Sequence, residues 1–183
     1  MKKYEIIYAD PPWQYTSKEN LQPKAIINGK INTHYPSLST AQLKSINIPD
    51  ICDDNCLLFL WVVSPMLDDG IDVLKSWGFK YSTVGFVWYK HHPNAGYYTL
   101  SSCEICLIGK RGNIPKPRGQ LNARQFLPGL KTEHSAKPDE IRYRIMRMFP
   151  TQKRLELFAR KRHWGWDAFG NELEYNDVEI DIG

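Results

Sequence analysis

Apolar residues fall along this chain in short, nearly continuous runs separated by stretches with helical spacing. Tyr4–Ala9, Leu57–Val63, Val84–Tyr89, Glu104–Ile108 and Arg154–Ala159 read as strands. Their unbroken apolar character suits strands covered on both faces, and their alternation with helical patterns predicts parallel βα units. Ser39 followed by Gln42 forms a capping-box pattern ahead of Leu43 and Ile46, and Pro49 stops that run. Ser64-Pro65 reads as an N-cap with proline in the first helical position. Asp68 and Asp69 then lie at the positive end of the helix, and Gly78 closes it. A third helix is expected from Pro138-Asp139-Glu140 to just before Pro150, with Ile141, Ile145, Met148 and Phe149 at helical spacing.

Two stretches break the pattern. Residues 14–36 are polar with scattered aromatics, and residues 111–137 are rich in Gly, Pro, Lys and Arg. Loops of that length are either functional or plain surface. The rest reads as one domain over residues 1–183, a length that suits a single core.

The composition is 42% hydrophobic and 13% aromatic, with 6 Trp and 10 Tyr. Such aromatics fill cores and also stack on bases. The net charge of +4, from 24 basic and 20 acidic residues, permits a polyanionic partner without requiring one. The start, Met1-Lys2-Lys3-Tyr4, runs directly into a strand, and no apolar stretch is long enough to span a membrane, so the expectation is a cytoplasmic protein. Cys103 and Cys106 are three apart on an expected strand and point to opposite faces, which disfavours zinc; with Cys52 and Cys56 they read as free thiols, and no metal is expected.

The chemistry concentrates at Asp10-Pro11-Pro12-Trp13, directly after the first strand. Ligands of open α/β sheets bind beyond the carboxyl ends of strands. An aromatic exocyclic amine is a poor nucleophile, because its lone pair is delocalised into the ring. The Asp10 carboxylate and the Pro11 carbonyl would accept its hydrogen bonds and aim the lone pair at an electrophilic methyl group. The two prolines restrict the loop, and Trp13 offers a flat face for an unstacked base. Taken alone the tetrapeptide could also be a turn.

The tetrapeptide and the segments after it resemble the MTA-seventy family, the N6-adenine methyltransferases related to the catalytic subunit of the mRNA adenosine methyltransferase. His34-Tyr35-Pro36-Ser37-Leu38-Ser39, Leu58-Phe59-Leu60-Trp61-Val62, Trp77-Gly78-Phe79 and Val87-Trp88-Tyr89-Lys90 follow in order. So do Glu133-His134-Ser135-Ala136-Lys137-Pro138-Asp139-Glu140, Glu156-Leu157-Phe158-Ala159-Arg160 and Gly165-Trp166-Asp167-Ala168-Phe169-Gly170-Asn171-Glu172. The wording of the later motifs resembles the bacterial and phage branch. The chain departs from the pattern at Leu100-Ser101-Ser102-Cys103-Glu104, where many members place a basic and a polar residue before the glutamate.

The resemblance implies an α/β Rossmann-like methyltransferase of permuted order, with a mainly parallel sheet flanked by helices. It implies S-adenosylmethionine as cofactor, near Asp10, His134, Lys137, Leu157, Phe158 and Arg160, with Asn171 and Glu172 at its ribose or adenine end. It implies methylation of the N6 amine of adenine in a flipped or unpaired base, with DNA favoured and RNA an alternative. Expected substrate contacts are Trp13, Tyr15, His34, Tyr35 and Lys90, with Lys116 and Arg118 tracking phosphates. A non-catalytic nucleic-acid-binding partner subunit and a cytosine-amine methyltransferase stand as further alternatives. A homodimer or a second subunit would be another source of sequence preference.

Overall fold

A computed structural model describes residues 2–14, 37–94, 98–129 and 136–182. Its centre is a seven-stranded sheet in the order β5-β3-β4-β2-β1-β6-β7. The strands are β1 (Tyr4–Ala9), β2 (Cys52–Val62), β3 (Lys80–Asn94), β4 (Ser101–Arg111), β5 (Phe126–Gly129), β6 (Arg154–Leu157) and β7 (Asp167–Phe169). The helices are α1 (Thr40–Ser45), α2 (Leu67–Ser76) and α3 (Asp139–Met148).

β1 is parallel to both β2 and β6, and β6 is parallel to β7. β4 is antiparallel to β2 and to β3, so the sheet is mainly, not wholly, parallel, as expected. The chain between Asn94 and Ser101 is too short for a crossover helix, so β3 and β4 form a hairpin. β5 then adds in parallel to the outer edge of β3, within the stretch expected to be irregular.

Side chains alternate between the two sheet faces. Ile7, Ala9, Leu58, Leu60, Val62, Leu155 and Leu157 meet Leu43 of α1 and Val73 and Leu74 of α2 on one face. Ile6, Tyr8, Phe59 and Trp61 meet Ile141, Ile145 and Met148 of α3 on the other. Burial of every β1 residue but Glu5 follows from these two covers.

The helix ends form as the local chemistry dictates. Ser39 and Gln42 make the reciprocal capping box of α1. Gly78, at φ 81°, closes α2: its N–H donates to the Lys75 carbonyl and that of Phe79 to the Leu74 carbonyl, 3.0 and 3.1 Å. Ser64 does not cap α2. Pro65 starts a single 3-10 turn over Ser64–Met66, so the α-helix begins only at Leu67, with Asp68 and Asp69 in its first turn.

Candidate active site

β1 lies where the strand order reverses, with β2 on one side and β6 on the other, the position at which open α/β sheets bind ligands. The register pairs Ala9 with Leu157, and Leu157 with Phe169. Asp10, Phe158 and Gly170 therefore leave three adjacent parallel strands at one level. Arg160, Asn171 and Glu172 follow within the same row. Because β4 is antiparallel, its first residues reach this end too: Ile105 pairs with Val62, and Trp88 with Glu104.

The loop after β1 is tied down at several points. The Trp13 amide donates to the Pro11 carbonyl (2.9 Å), and the Leu38 amide to the Pro12 carbonyl (2.8 Å). The Gln14 amide donates to the Leu38 carbonyl at 2.9 Å. The Trp13 indole N–H donates to the Trp61 carbonyl at 2.9 Å, and only 8% of Trp13 is exposed. That geometry corrects the expectation of a free stacking face. The indole needs a partner for its N–H and burial for its ring, and both lie inward against β2. The Pro11 carbonyl keeps one lone pair beyond the bond it accepts from Trp13.

Lys137, in the segment leading into α3, places its ammonium 2.7 Å from each oxygen of the Asp10 carboxylate. The same ammonium lies 3.0 Å from Glu104 Oε2, and Lys90 Nζ donates to Glu104 Oε1 at 2.8 Å. Burial alone would raise the Glu104 carboxyl, but the Lys137 and Lys90 ammoniums outweigh it and hold it below the usual carboxylate range. Burial would lower Lys137, and the carboxylates of Asp10 and Glu104 instead push it up. The Trp61 ring lies under this ammonium, with its centroid 5.5 Å away. Arg142 of α3 braces the arrangement: it grips both oxygens of Glu156 on β6 and donates to the Lys137 carbonyl at 3.4 Å.

Beyond β6, Phe158 adopts φ 59°, a left-handed conformation that bulky residues rarely occupy. It turns the chain sharply at the mouth of the sheet, and the Ala159 amide then pairs with the Phe169 carbonyl. Strain of this kind persists where the surroundings fix it, and it gathers at ligand sites. Arg160 and Glu172 face each other at 3.9 Å, both partly exposed.

The row brings together Asp10, Lys137, Leu157, Phe158, Arg160, Asn171 and Glu172. Tyr15, His34, Tyr35 and His134 lie outside the described residues. Three further substrate expectations are corrected. Lys90 is buried against Glu104 and Trp88 and presents no charge to the surface. Lys116 and Arg118 lie at the opposite end of the sheet, past Arg111, which pairs with Cys56. There Gly119 and Gln120 bond to Met148 and Arg147 at the far end of α3, and the Arg118 guanidinium covers Phe149. Glu104 is the residue that sequence reasoning passed over. Its signal was a lone carboxylate inside an apolar strand, which needs a buried cation.

S-adenosylmethionine carries an ammonium, a carboxylate, a sulfonium, ribose hydroxyls and an adenine. The row offers Asp10 and Glu172 as carboxylates, Lys137 and Arg160 as cations, and the Asn171 amide, so the donor set fits. Among the described residues, no cluster of His, Cys, Asp and Glu could hold a metal ion. No described helix is long and apolar enough to cross a membrane.

The chain is 40% identical to the type II methyltransferase M.MunI of a Mycoplasma species, over 98% of this chain and 82% of that protein. It is 28% identical to the N(6)-adenosine-methyltransferase MT-A70-like protein of Arabidopsis thaliana and 27% identical to the human N(6)-adenosine-methyltransferase catalytic subunit METTL3. Those matches cover 93% and 94% of this chain, which spans only about a quarter of the two eukaryotic proteins: 24% and 28% of their lengths. The family model named MT-A70 matches residues 4–172. Methyltransferases of that family use S-adenosylmethionine as methyl donor. On the match of almost the whole chain, and on the row of residues that the sheet presents, this protein belongs to the MT-A70 family, the one its ordered motifs resemble.

Proposed function

We propose that the chain, as one methyltransferase domain over residues 1–183 working in the cytoplasm, methylates the N6 amine of adenine in DNA. The observation that carries this reading is the Asp10 carboxylate, fixed at the exit of β1 by the Lys137 ammonium. The donor supplies an electrophilic methyl group. Asp10 and the free lone pair of the Pro11 carbonyl accept the two N–H bonds of the amine, which turns its lone pair outward. Lys137 keeps the carboxylate oriented. Trp13 holds the loop from below. The reaction needs no covalent attachment to the protein: as the N–C bond forms, the bond from the methyl to the donor's sulfur would break, and the surplus N6 proton would leave to solvent by way of the Asp10 carboxylate. A target in duplex DNA must be flipped out of its stack to reach Asp10.

DNA is placed ahead of RNA because the greater likeness is to M.MunI, over most of both chains. The adenosine methyltransferase relatives keep RNA as the second reading. An intact, gripped Asp10 speaks against a non-catalytic partner subunit. With Lys116 and Arg118 at the far end of the sheet, sequence preference falls to residues 14–36, to the chain between Gly129 and Lys137, or to a second subunit such as a homodimer partner.

The test is incubation of the protein with labelled S-adenosylmethionine and separate DNA and RNA pools, then mass spectrometry of the digested nucleosides. N6-methyldeoxyadenosine from DNA is the expected product, and Asp10→Asn reduces it at least a thousandfold. Product only from RNA moves the reading to RNA. Product from neither pool, or full activity in Asp10→Asn, overturns it.

A further inference from the structure

The contacts around Asp10 form a line of alternating charge. Asp10 is held by Lys137, Lys137 by Glu104, and Glu104 by Lys90, at 2.7, 3.0 and 2.8 Å. The side chains of Lys90, Glu104 and Lys137 are 6%, 9% and 7% exposed, and that of Asp10 is 27% exposed. The line therefore starts in the interior and ends at the mouth of the site. Strand pairing does not require it, since a well-packed apolar pair in the β3–β4 hairpin would avoid desolvating two charges. Each charge has its opposite as neighbour, and both oxygens of Glu104 are engaged, one by each lysine.

We propose that Lys90 is a positioning residue for the transfer: by occupying one oxygen of Glu104 it limits that carboxylate to a single grip on Lys137. The Lys137 ammonium is then left free to hold both oxygens of Asp10. This rests on the reading of Asp10 as the acceptor of the target amine. Without Lys90, both Glu104 oxygens become available to Lys137, the ammonium is drawn inward, and Asp10 loses its orientation. Lys90 touches neither substrate nor cofactor in this scheme. It acts from the interior, two side chains away.

The experiment compares wild type, Lys90→Met, Lys90→Arg, Glu104→Gln and the Lys90→Met/Glu104→Gln double variant in steady-state methylation of DNA. Lys90→Met is expected to lower kcat ten- to a hundredfold, with KM for DNA and the salt dependence of binding unchanged, and Lys90→Arg restores most of the rate. In the Glu104→Gln background the Lys90 substitution adds little, because it acts through Glu104. The acidic limb of the kcat–pH profile moves to higher pH in Lys90→Met. Among the described residues, Glu104 then faces only Lys137 as a cation, with Asp10 beyond it and the buried Cys106 on its own strand. A purely structural role leaves that limb in place.

A raised KM with a salt slope lowered by about one and kcat intact would make Lys90 a phosphate contact and overturn the proposal. Additive effects of the two substitutions, or an unmoved acidic limb, also overturn it. The coupling is read without turnover from the NMR chemical shift of the Asp10 carboxyl carbon at fixed neutral pH in wild type and in the double variant, which removes both inner charges. A changed carboxyl signal supports the line and an unchanged one overturns it. Absence of methylation in wild type counts instead against the proposed function.

Discussion

At Trp13 two demands on one side chain compete, and the contacts decide between them. A stacking platform needs an open ring face, while an anchor needs a buried ring with a satisfied indole. The 2.9 Å bond to the Trp61 carbonyl and the 8% exposure assign the residue to the anchor. Trp13→Phe tests this, because it keeps a flat ring while removing the donor and part of the buried ring volume. The expected outcome is a loss of about 1–3 kcal/mol in the unfolding free energy extrapolated from urea denaturation, from one buried hydrogen bond and the lost ring volume. A several-fold fall in kcat should accompany it as the Asp10 loop loosens. Unchanged kcat in Trp13→Phe would return the ring to the stacking role. Residue by residue, Asp10 was legible because a carboxylate follows an apolar strand. Its grip was not legible. Lys137 and Asp10 are 127 positions apart, and no local pattern pairs charges over that distance. Lys90 failed as a surface reading for the same reason: its partner Glu104 lies across a hairpin whose register only the folded sheet reveals.

Elements set by local chemistry came through well. The capping box of α1, the acidic first turn of α2 and its glycine stop all depend on neighbours within a few residues. Elements set by tertiary pairing did not. β5 contains Pro128 and Gly129, which read as loop, yet proline is tolerated on the edge strand that β5 forms. β7 is three residues long and exists because β6 offers it an edge. Two glycines, one inside α2 and one just after it, separate the local and tertiary causes. At Gly78 an added Cβ meets nothing closer than 3.6 Å, so Gly78→Ala costs only the left-handed strain, about 1–2 kcal/mol. At Gly70, inside the helix, alanine would ordinarily stabilise by up to about 1 kcal/mol. Here the new Cβ would lie 2.2 Å from Val62 Cγ1 at the end of β2. Gly70→Ala is therefore expected to destabilise by about 1–3 kcal/mol. Thermal melts of the two variants check both values, and a stabilised Gly70→Ala would show that α2 can shift away from β2.

Over the whole molecule, buried ionisable groups make stability depend on pH, and the direction of each shift gives the sign. Burial, helped by the Arg142 guanidinium, lowers His163 from 6.5 to about 4, so the folded protein holds this ring neutral while the unfolded chain protonates it. Its contribution is complete above 6.5 and is lost as the pH falls toward 4. Glu104 is also depressed, so its contribution is present above the ordinary carboxylate value of 4.5 and is lost below it. Lys137 is raised, and its contribution lasts up to the ordinary lysine value of 10.5 and is lost only above it. Acid should therefore destabilise the protein in two stages, the first from His163 and the second from the inner carboxylate. By pH 5 the first stage is worth about 1–2 kcal/mol. Denaturant midpoints measured from pH 8 to pH 5 should fall in wild type and stay level in His163→Gln, and in a series extended below pH 4.5 Glu104→Gln keeps the first stage and flattens the second. The two histidine curves running parallel would mean that the ring takes up its proton in the folded state as readily as in the unfolded one, and the first stage would then have to come from another group.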